Sequence, residues 1–278
     1  MQQWAGYSLG FLSRPYWRET RAAFVLSTGR TGTKTLARLL DLSPEIDAFH
    51  EPHPQLLQER KAARWDVHRN ERAYEQIFTL SRGAMLFRSH FRNRIYAETS
   101  ARLTFFAPVI KKLLPESRFF FIHRDPRAVI RSGMRRGWYV DHPADFARVR
   151  PVPGEAAWEE WESWSPFEKI CWYWDSYNRF SLDFYEDDGA SQVLSIRADD
   201  LFTGAAVSDI FAHLDVPSPS PGNVERVLSK KLNAQKQDEF PKAPNWSTDM
   251  IETLHRMAGD TMERLGYKEQ PTTNQEHV

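Results

Sequence analysis

The stretch Phe24 to Leu40, FVLSTGRTGTKTLARLL, constrains the fold of this chain more than any other. Phe24 to Ser27 read as a short buried strand. Thr28 to Lys34 holds two glycines and three threonines, and Leu36, Leu39 and Leu40 then recur at helical spacing. A strand, a tight hydroxyl-rich turn and a helix start aim free backbone N–H groups and hydroxyls at one point above the strand. Phosphate is attracted there, because a helix N-terminus carries partial positive charge and unpaired donors. The plainer alternative is a βα turn that uses glycine only for its backbone angles. A Walker A loop requires glycine immediately before its lysine and again five positions earlier. Thr33 and Thr28 stand there instead, so a P-loop kinase of small molecules is the second choice.

Composition narrows the partners. Lysine plus arginine equals aspartate plus glutamate at 37 each, so no overall basic field points to nucleic acid, and anion binding must be local. One cysteine, Cys171, excludes an internal disulfide and fits a reducing compartment. Apolar runs such as Phe119 to Ile122 are too short to span a bilayer, and the start of the chain lacks a signal-type apolar segment. A cytoplasmic location is therefore expected. At 278 residues and 41% hydrophobic, the chain can form one large α/β domain over 1–278. Residues 1–21 are expected to lie on it as a surface arm.

Short apolar strands alternate with helical patterns along the chain. Strands are predicted at 46–49, 84–87, 118–123 and 193–196, and helices at 70–81, 99–113, 224–232 and 248–265. His50 to Pro54 (HEPHP) should form a loop at a strand end, and Pro217 to Pro221 an exposed connection. This alternation predicts an α/β fold in three layers, a central parallel sheet with helices on both faces. Ligands then bind at the C-terminal strand ends, where loops 28–35 and 124–132 both fall.

The second loop is RDPRAVIRS, Arg124 to Ser132. Asp125 suits the N-cap and Pro126 the first helical position. Helical spacing lets Ser132 point back beside Arg124, and a guanidinium fork with a nearby hydroxyl suits a phosphate monoester. A capped helix start with solvated arginines is the alternative.

The two loops together resemble the sulfotransferases that use 3′-phosphoadenosine 5′-phosphosulfate, in a P-loop-like architecture. The first follows the family form [KR]-[ST]-G-[ST]-[ST] as Arg30-Thr31-Gly32-Thr33, continued by Lys34-Thr35, with Lys34 a departure from the usual hydroxyl. The second matches an arginine with a serine eight positions on, Arg124 and Ser132. An acidic-Thr-Ser start at Glu98, a helix, a Leu-Pro stop and a strand ending in R-D-P-R follow the family order. The resemblance implies that Arg30 to Thr35 hold the 5′-phosphosulfate and that Arg124 and Ser132 hold the 3′-phosphate. It implies that Arg30 stabilises the leaving group and that no metal is needed. The acceptor is expected to be a hydroxyl, less readily an amine, of a small molecule or carbohydrate.

A base must take the acceptor's proton. Glu51, followed by Pro52, resembles the strand-end glutamate of the carbohydrate branch and is the first choice. His90 is the runner-up, and His50 and His53 read as plain loop histidines. A zinc reading of H-E-P-H is weak, since Pro52 prevents helical spacing. Lys231, Asn233 and Lys236 resemble a basic loop that closes over the nucleotide. The aromatic-rich segment 137–185 is the acceptor side, with Trp158, Trp161 and Trp164 more exposed than Trp172 to Tyr177. A catalytically silent nucleotide-binding protein of the same fold is the remaining alternative.

Overall fold

The computed structural model describes residues 16–188, 191–229 and 240–267. Five parallel strands form one sheet in the order β2-β3-β1-β4-β5. They are β1 (Ala22–Leu26), β2 (Ile46–Phe49), β3 (Ile95–Glu98), β4 (Arg118–His123) and β5 (Val193–Arg197). Alternation within the apolar runs explains why a parallel sheet needs cover on both faces. Phe24, Leu26, Phe119 and Phe121 enter one core, whereas Ala23, Val25, Phe120 and Ile122 enter the other.

Eleven α-helices are present among the described residues, and they form the outer layers. On the second face lie α1 (Thr33–Leu40), α8 (Ala198–Thr203), α9 (Val207–His213) and α10 (Pro221–Leu228), contributing Leu36, Leu39, Leu201 and Ile210. The first face is covered by α3 (Glu71–Phe91), α4 (Ala107–Leu113), α5 (Pro126–Met134), α7 (Pro166–Asp188) and α11 (Thr248–Arg264). The remaining two, α2 (Leu57–Asp66) and α6 (Ala156–Glu160), also pack on the first core through Ala63 and Ala157, and α2 brings Leu57 and Arg60 to the cavity described below. The three-layer α/β expectation holds.

One expected strand lies elsewhere. Residues 84–87 are not a strand but the continuation of α3, whose buried stripe runs through Tyr74, Phe78, Arg82, Leu86 and Ser89. Gly83 before this apolar run suggests a break, yet the helix runs through it, and four apolar residues alone do not distinguish strand from helix. The strand slot goes to Ile95–Glu98, all four residues of which are buried. The stretch read as a helix over 99–113 opens as a 3-10 helix, Ala101–Phe106, before α4. Trp161, expected to be exposed, is 3% exposed against 43% for Trp158. It packs against Tyr139, Trp164 and Trp172.

Candidate functional site

The loop after β1 adopts the backbone that its glycines permit. Gly29 (φ 76°) and Gly32 (φ 99°) are left-handed, and so is Arg30 (φ 61°) between them. A side chain at Gly32 would also strike Phe202 at 2.8 Å and Leu201 at 2.9 Å. Ser27 Oγ and Thr31 Oγ1 share a buried hydrogen bond of 2.6 Å, and Ser27 Oγ also accepts from Gly29 N–H at 3.0 Å. Thr31 therefore braces the loop from inside. The first bond of α1 runs from Leu36 N–H to Gly32 O, which leaves the N–H groups of Thr33 to Thr35 ahead of it as free donors. Thr33, Lys34 and Thr35 all line the cavity above the strands.

The second loop closes onto the first. Asp125 caps α5 by accepting from Arg127 N–H at 2.8 Å, with Pro126 at the first position. Arg124 Nη1 donates to Arg30 O at 2.9 Å, and Arg30 Nε donates to Ser132 Oγ at 3.2 Å. Arg30, Arg124 and Ser132 thus form one connected group. Two consecutive residues of α7 hold both loops: Tyr173 Oη donates to Thr28 O at 2.7 Å, and Trp174 Nε1 to Arg124 O at 3.0 Å. The two loops follow β1 and β4, which are adjacent strands. The chain leaves β1 toward β2 on one side and leaves β4 toward β5 on the other, so the cleft sits at a topological switch point.

The cavity has a volume of about 410 Å³. It is strongly cationic: Arg30, Lys34, Arg60, Arg102, Arg124, Arg136 and Arg148 line it, against Glu51 as the only lining carboxylate among the described residues. Burial, together with Arg136 and Arg124, lowers the Arg30 guanidinium to about 10, so it stays charged at neutral pH. Burial likewise lowers Arg124, partly offset by Asp199 and Asp125. Phe202 lies beneath the Arg124 guanidinium, 5.2 Å from carbon to ring centroid, and also lines the cavity.

The base candidates separate by position. Glu51 (φ 49°) lines the cavity and pairs with Arg102 at 2.9 Å. His50 also lines it, with Nδ1 at 3.1 Å from both the carbonyl and the hydroxyl of Thr99. The Thr99 hydroxyl is itself spent on Phe49 O, so Nδ1 carries the proton and Nε2 keeps its lone pair. Burial lowers the His50 ring below the ordinary histidine value, against the upward pull of Glu51. His53 is exposed and outside the cavity lining. His90 is not a base for this site. It lies in the last turn of α3 beside Thr20, at 3.3 Å, and Thr20 precedes the central strand β1, at the N-terminal end of the strands opposite the cavity. Lys231, Asn233 and Lys236 lie outside the described residues.

The sequence reading missed Arg60, Arg102, Arg136, Arg148 and Phe202. Arg102 had a usable signal, because a strand ending at Glu98 would have put residues 99–102 at a strand's C-terminal end. No described helix is long and apolar enough to cross a membrane. No cluster of potential metal ligands occurs among the described residues.

Comparisons with known proteins point the same way. No curated protein matches the sequence. The chain superposes on the sulfotransferase domain from the curacin biosynthetic pathway with a TM-score of 0.58 and 16% identity, covering 90% of this chain and 99% of that one. It superposes on sulfotransferase STF9 from Mycobacterium avium with a TM-score of 0.54 and 13% identity, covering 93% and 81% respectively. These likenesses show the fold. A model of the sulfotransferase family matches residues 22–164, just over half of the 278, which include both loops and Glu51. The chain belongs to the sulfotransferase family.

Proposed function

We propose that this chain transfers a sulfuryl group from 3′-phosphoadenosine 5′-phosphosulfate to an acceptor hydroxyl by in-line displacement. The observation that carries the reading is the joined group of Arg124, Arg30 and Ser132, which sets two anion-binding loops side by side on adjacent strands. Free N–H groups at the start of α1, with Arg30 and Lys34, suit the 5′-phosphosulfate. Arg124 and Ser132 suit the 3′-phosphate. Phe202 offers a flat face beside Arg124 on which a nucleobase can rest.

In the reaction the acceptor oxygen bonds to sulfur as the bond from sulfur to the bridging oxygen breaks. The products are a sulfate ester and adenosine 3′,5′-bisphosphate. Arg30 offsets the charge gathering on the bridging oxygen, and the preformed N–H groups of α1 assist without reorganising. The acceptor's proton passes to the Glu51 carboxylate, which its ion pair with Arg102 holds in the cavity. His50 Nε2 is the second candidate, supported by its Nδ1 bond to Thr99. No step calls on a metal ion. A cytoplasmic location remains part of the proposal, consistent with the single buried Cys171.

A small-molecule kinase fits less well. The Walker glycines are replaced by Thr28 and Thr33, and the only carboxylate lining the described cavity is already paired with Arg102. Thermal shift decides between the two. Adenosine 3′,5′-bisphosphate at 100 times its Kd should stabilise the chain by about 2.7 kcal/mol. Stabilisation by ATP with Mg²⁺ and none by the bisphosphate would overturn the proposal. Mass spectrometry after incubation with the sulfate donor and hydroxylated compounds then separates an enzyme from a silent binder.

A further inference from the structure

The donor's phosphates, as assigned above, engage Arg30, Lys34 and Arg124. Four lining cations remain: Arg60, Arg102, Arg136 and Arg148. Two of them are neutralised within the protein. Arg102 pairs with Glu51 at 2.9 Å, and Arg148 pairs with Asp145 at 2.7 Å while stacking on Trp138. Arg60 and Arg136 have no carboxylate partner among the described residues. The Nε of each is buried without a hydrogen-bond partner. Arg60 Nη2 is held by Ala147 O at 2.7 Å, which fixes the guanidinium at the cavity wall.

A guanidinium that lines a cavity with no carboxylate beside it offers its open Nη edge to an oxyanion, which is the partner that offsets its charge. The position of Arg60 says which ligand brings that oxyanion. It projects from α2, and its electrostatic neighbours are Glu51, Arg102 and Tyr173 with Tyr139 and Tyr177. This is the end of the cavity where the proposed base meets the acceptor, away from the loop that grips the 3′-phosphate. Arg136 lines the same cavity near Arg30, whose charge it opposes. Leu57, Trp138 and Tyr173 supply apolar surface along the same wall.

We infer that the acceptor is an anionic hydroxyl compound, its carboxylate or phosphate held by Arg60 with Arg136 while its hydroxyl faces Glu51. This rests on the sulfuryl-transfer reading. The neutral alcohol or amine is correspondingly the poor substrate, because it leaves both guanidiniums without an anion.

The test uses the full chain, the sulfate donor and matched acceptors: hydroxy acids against their methyl esters, and phosphomonoesters of diols against the parent diols. Sulfated products are read by mass spectrometry. At least one anionic series is expected to show kcat/KM about tenfold or more above its neutral partner, and which series does so identifies the oxyanion. Arg60→Met is expected to erase that preference chiefly through KM, with Arg60→Lys restoring part of it and the thermal shift by adenosine 3′,5′-bisphosphate unchanged. Should Arg60→Met fail to fold, the wild-type preference still decides. Esters or diols used as well as the anions, or bisphosphate binding with no anionic compound sulfated, overturns the inference. Failure of the wild type to bind the bisphosphate instead marks failure of the sulfuryl-transfer reading itself.

Discussion

Arg30 and Glu51 share an unusual property: both are non-glycine residues in the left-handed region. Such conformations cost about 1–3 kcal/mol each and persist where the surroundings over-determine them. In the proposed reaction these two residues stand at the two ends of the transferred group. Their variants should therefore behave differently from that of Arg124. Arg124→Ala is expected to weaken adenosine 3′,5′-bisphosphate binding about 10- to 100-fold by calorimetry, having lost a charged donor. Glu51→Gln should leave that affinity intact and lower kcat by about 10²- to 10⁴-fold; equal loss of nucleotide affinity in both would show Glu51 to be misassigned. Arg30 adds a pH dependence. Its charge is lost as pH rises through about 10, so kcat/KM should fall in that range, and Arg136→Gln should move the limb upward by removing a like charge. Arg30, Gly32, Arg124 and Ser132 were legible in the sequence because each pair sits within one loop at fixed spacing. Arg60, Arg102, Arg136 and Arg148 were not, since they come from separate segments that only the fold brings to one cavity.

At the level of elements, the misread strand is the informative case. Arg82 on α3 is fully buried and forks onto Glu98, with bonds of 2.6 and 2.9 Å, while Tyr96 Oη donates to the same carboxylate at 2.6 Å. Arg82 Nη1 also reaches Pro54 O at 2.9 Å, tying the loop that carries His50 and Glu51 to this helix. Burial pushes the Glu98 carboxyl up, and the Arg82 and Tyr96 bonds oppose the shift. Arg82→Ala leaves that carboxylate with only the Tyr96 hydroxyl and no cation in the core, and should cost about 3–5 kcal/mol by urea denaturation. Lys in its place keeps charge but not the fork and should recover only part of the loss. Periodicity does not reveal this pairing: an arginine inside a helical stripe reads as polar, so the expected helix ends at residue 81. The strand Arg118–His123 was legible to the residue, because six consecutive positions are apolar or half-apolar and a capped proline helix follows.

For the whole molecule, His123 links the sheet to the end of the described chain. It closes β4 and shares a 2.7 Å hydrogen bond with the Tyr267 hydroxyl, just beyond α11. Burial, and secondarily Arg197, lowers this ring from the ordinary 6.5 to about 4. The folded state therefore binds fewer protons than the unfolded state between these values. Stability from this residue is fully present above pH 6.5 and is lost as pH falls toward about 4. The expected loss is up to about 3 kcal/mol, read as a falling urea midpoint across that window. His123→Phe should flatten the slope. The three-layer architecture was readable from the alternation of strands and helices, whereas the order β2-β3-β1-β4-β5 needed the register of the strands themselves.

The adjacent pair Tyr173 and Trp174 gives that architecture a metric. One turn of α7 fastens to Thr28 O and Arg124 O, so the separation of the two anion loops is set by a rigid helix and not by the loops. Such a gauge would select ligands by the distance between their charges more than by how many they carry. Adenosine 3′,5′-bisphosphate, with phosphates on opposite sides of its ribose, would span it; a nucleotide with its two phosphates joined in one chain would fill one end and leave Arg124 and Ser132 empty-handed. Loosening the gauge with Tyr173→Phe should then narrow the affinity gap between the bisphosphate and ADP.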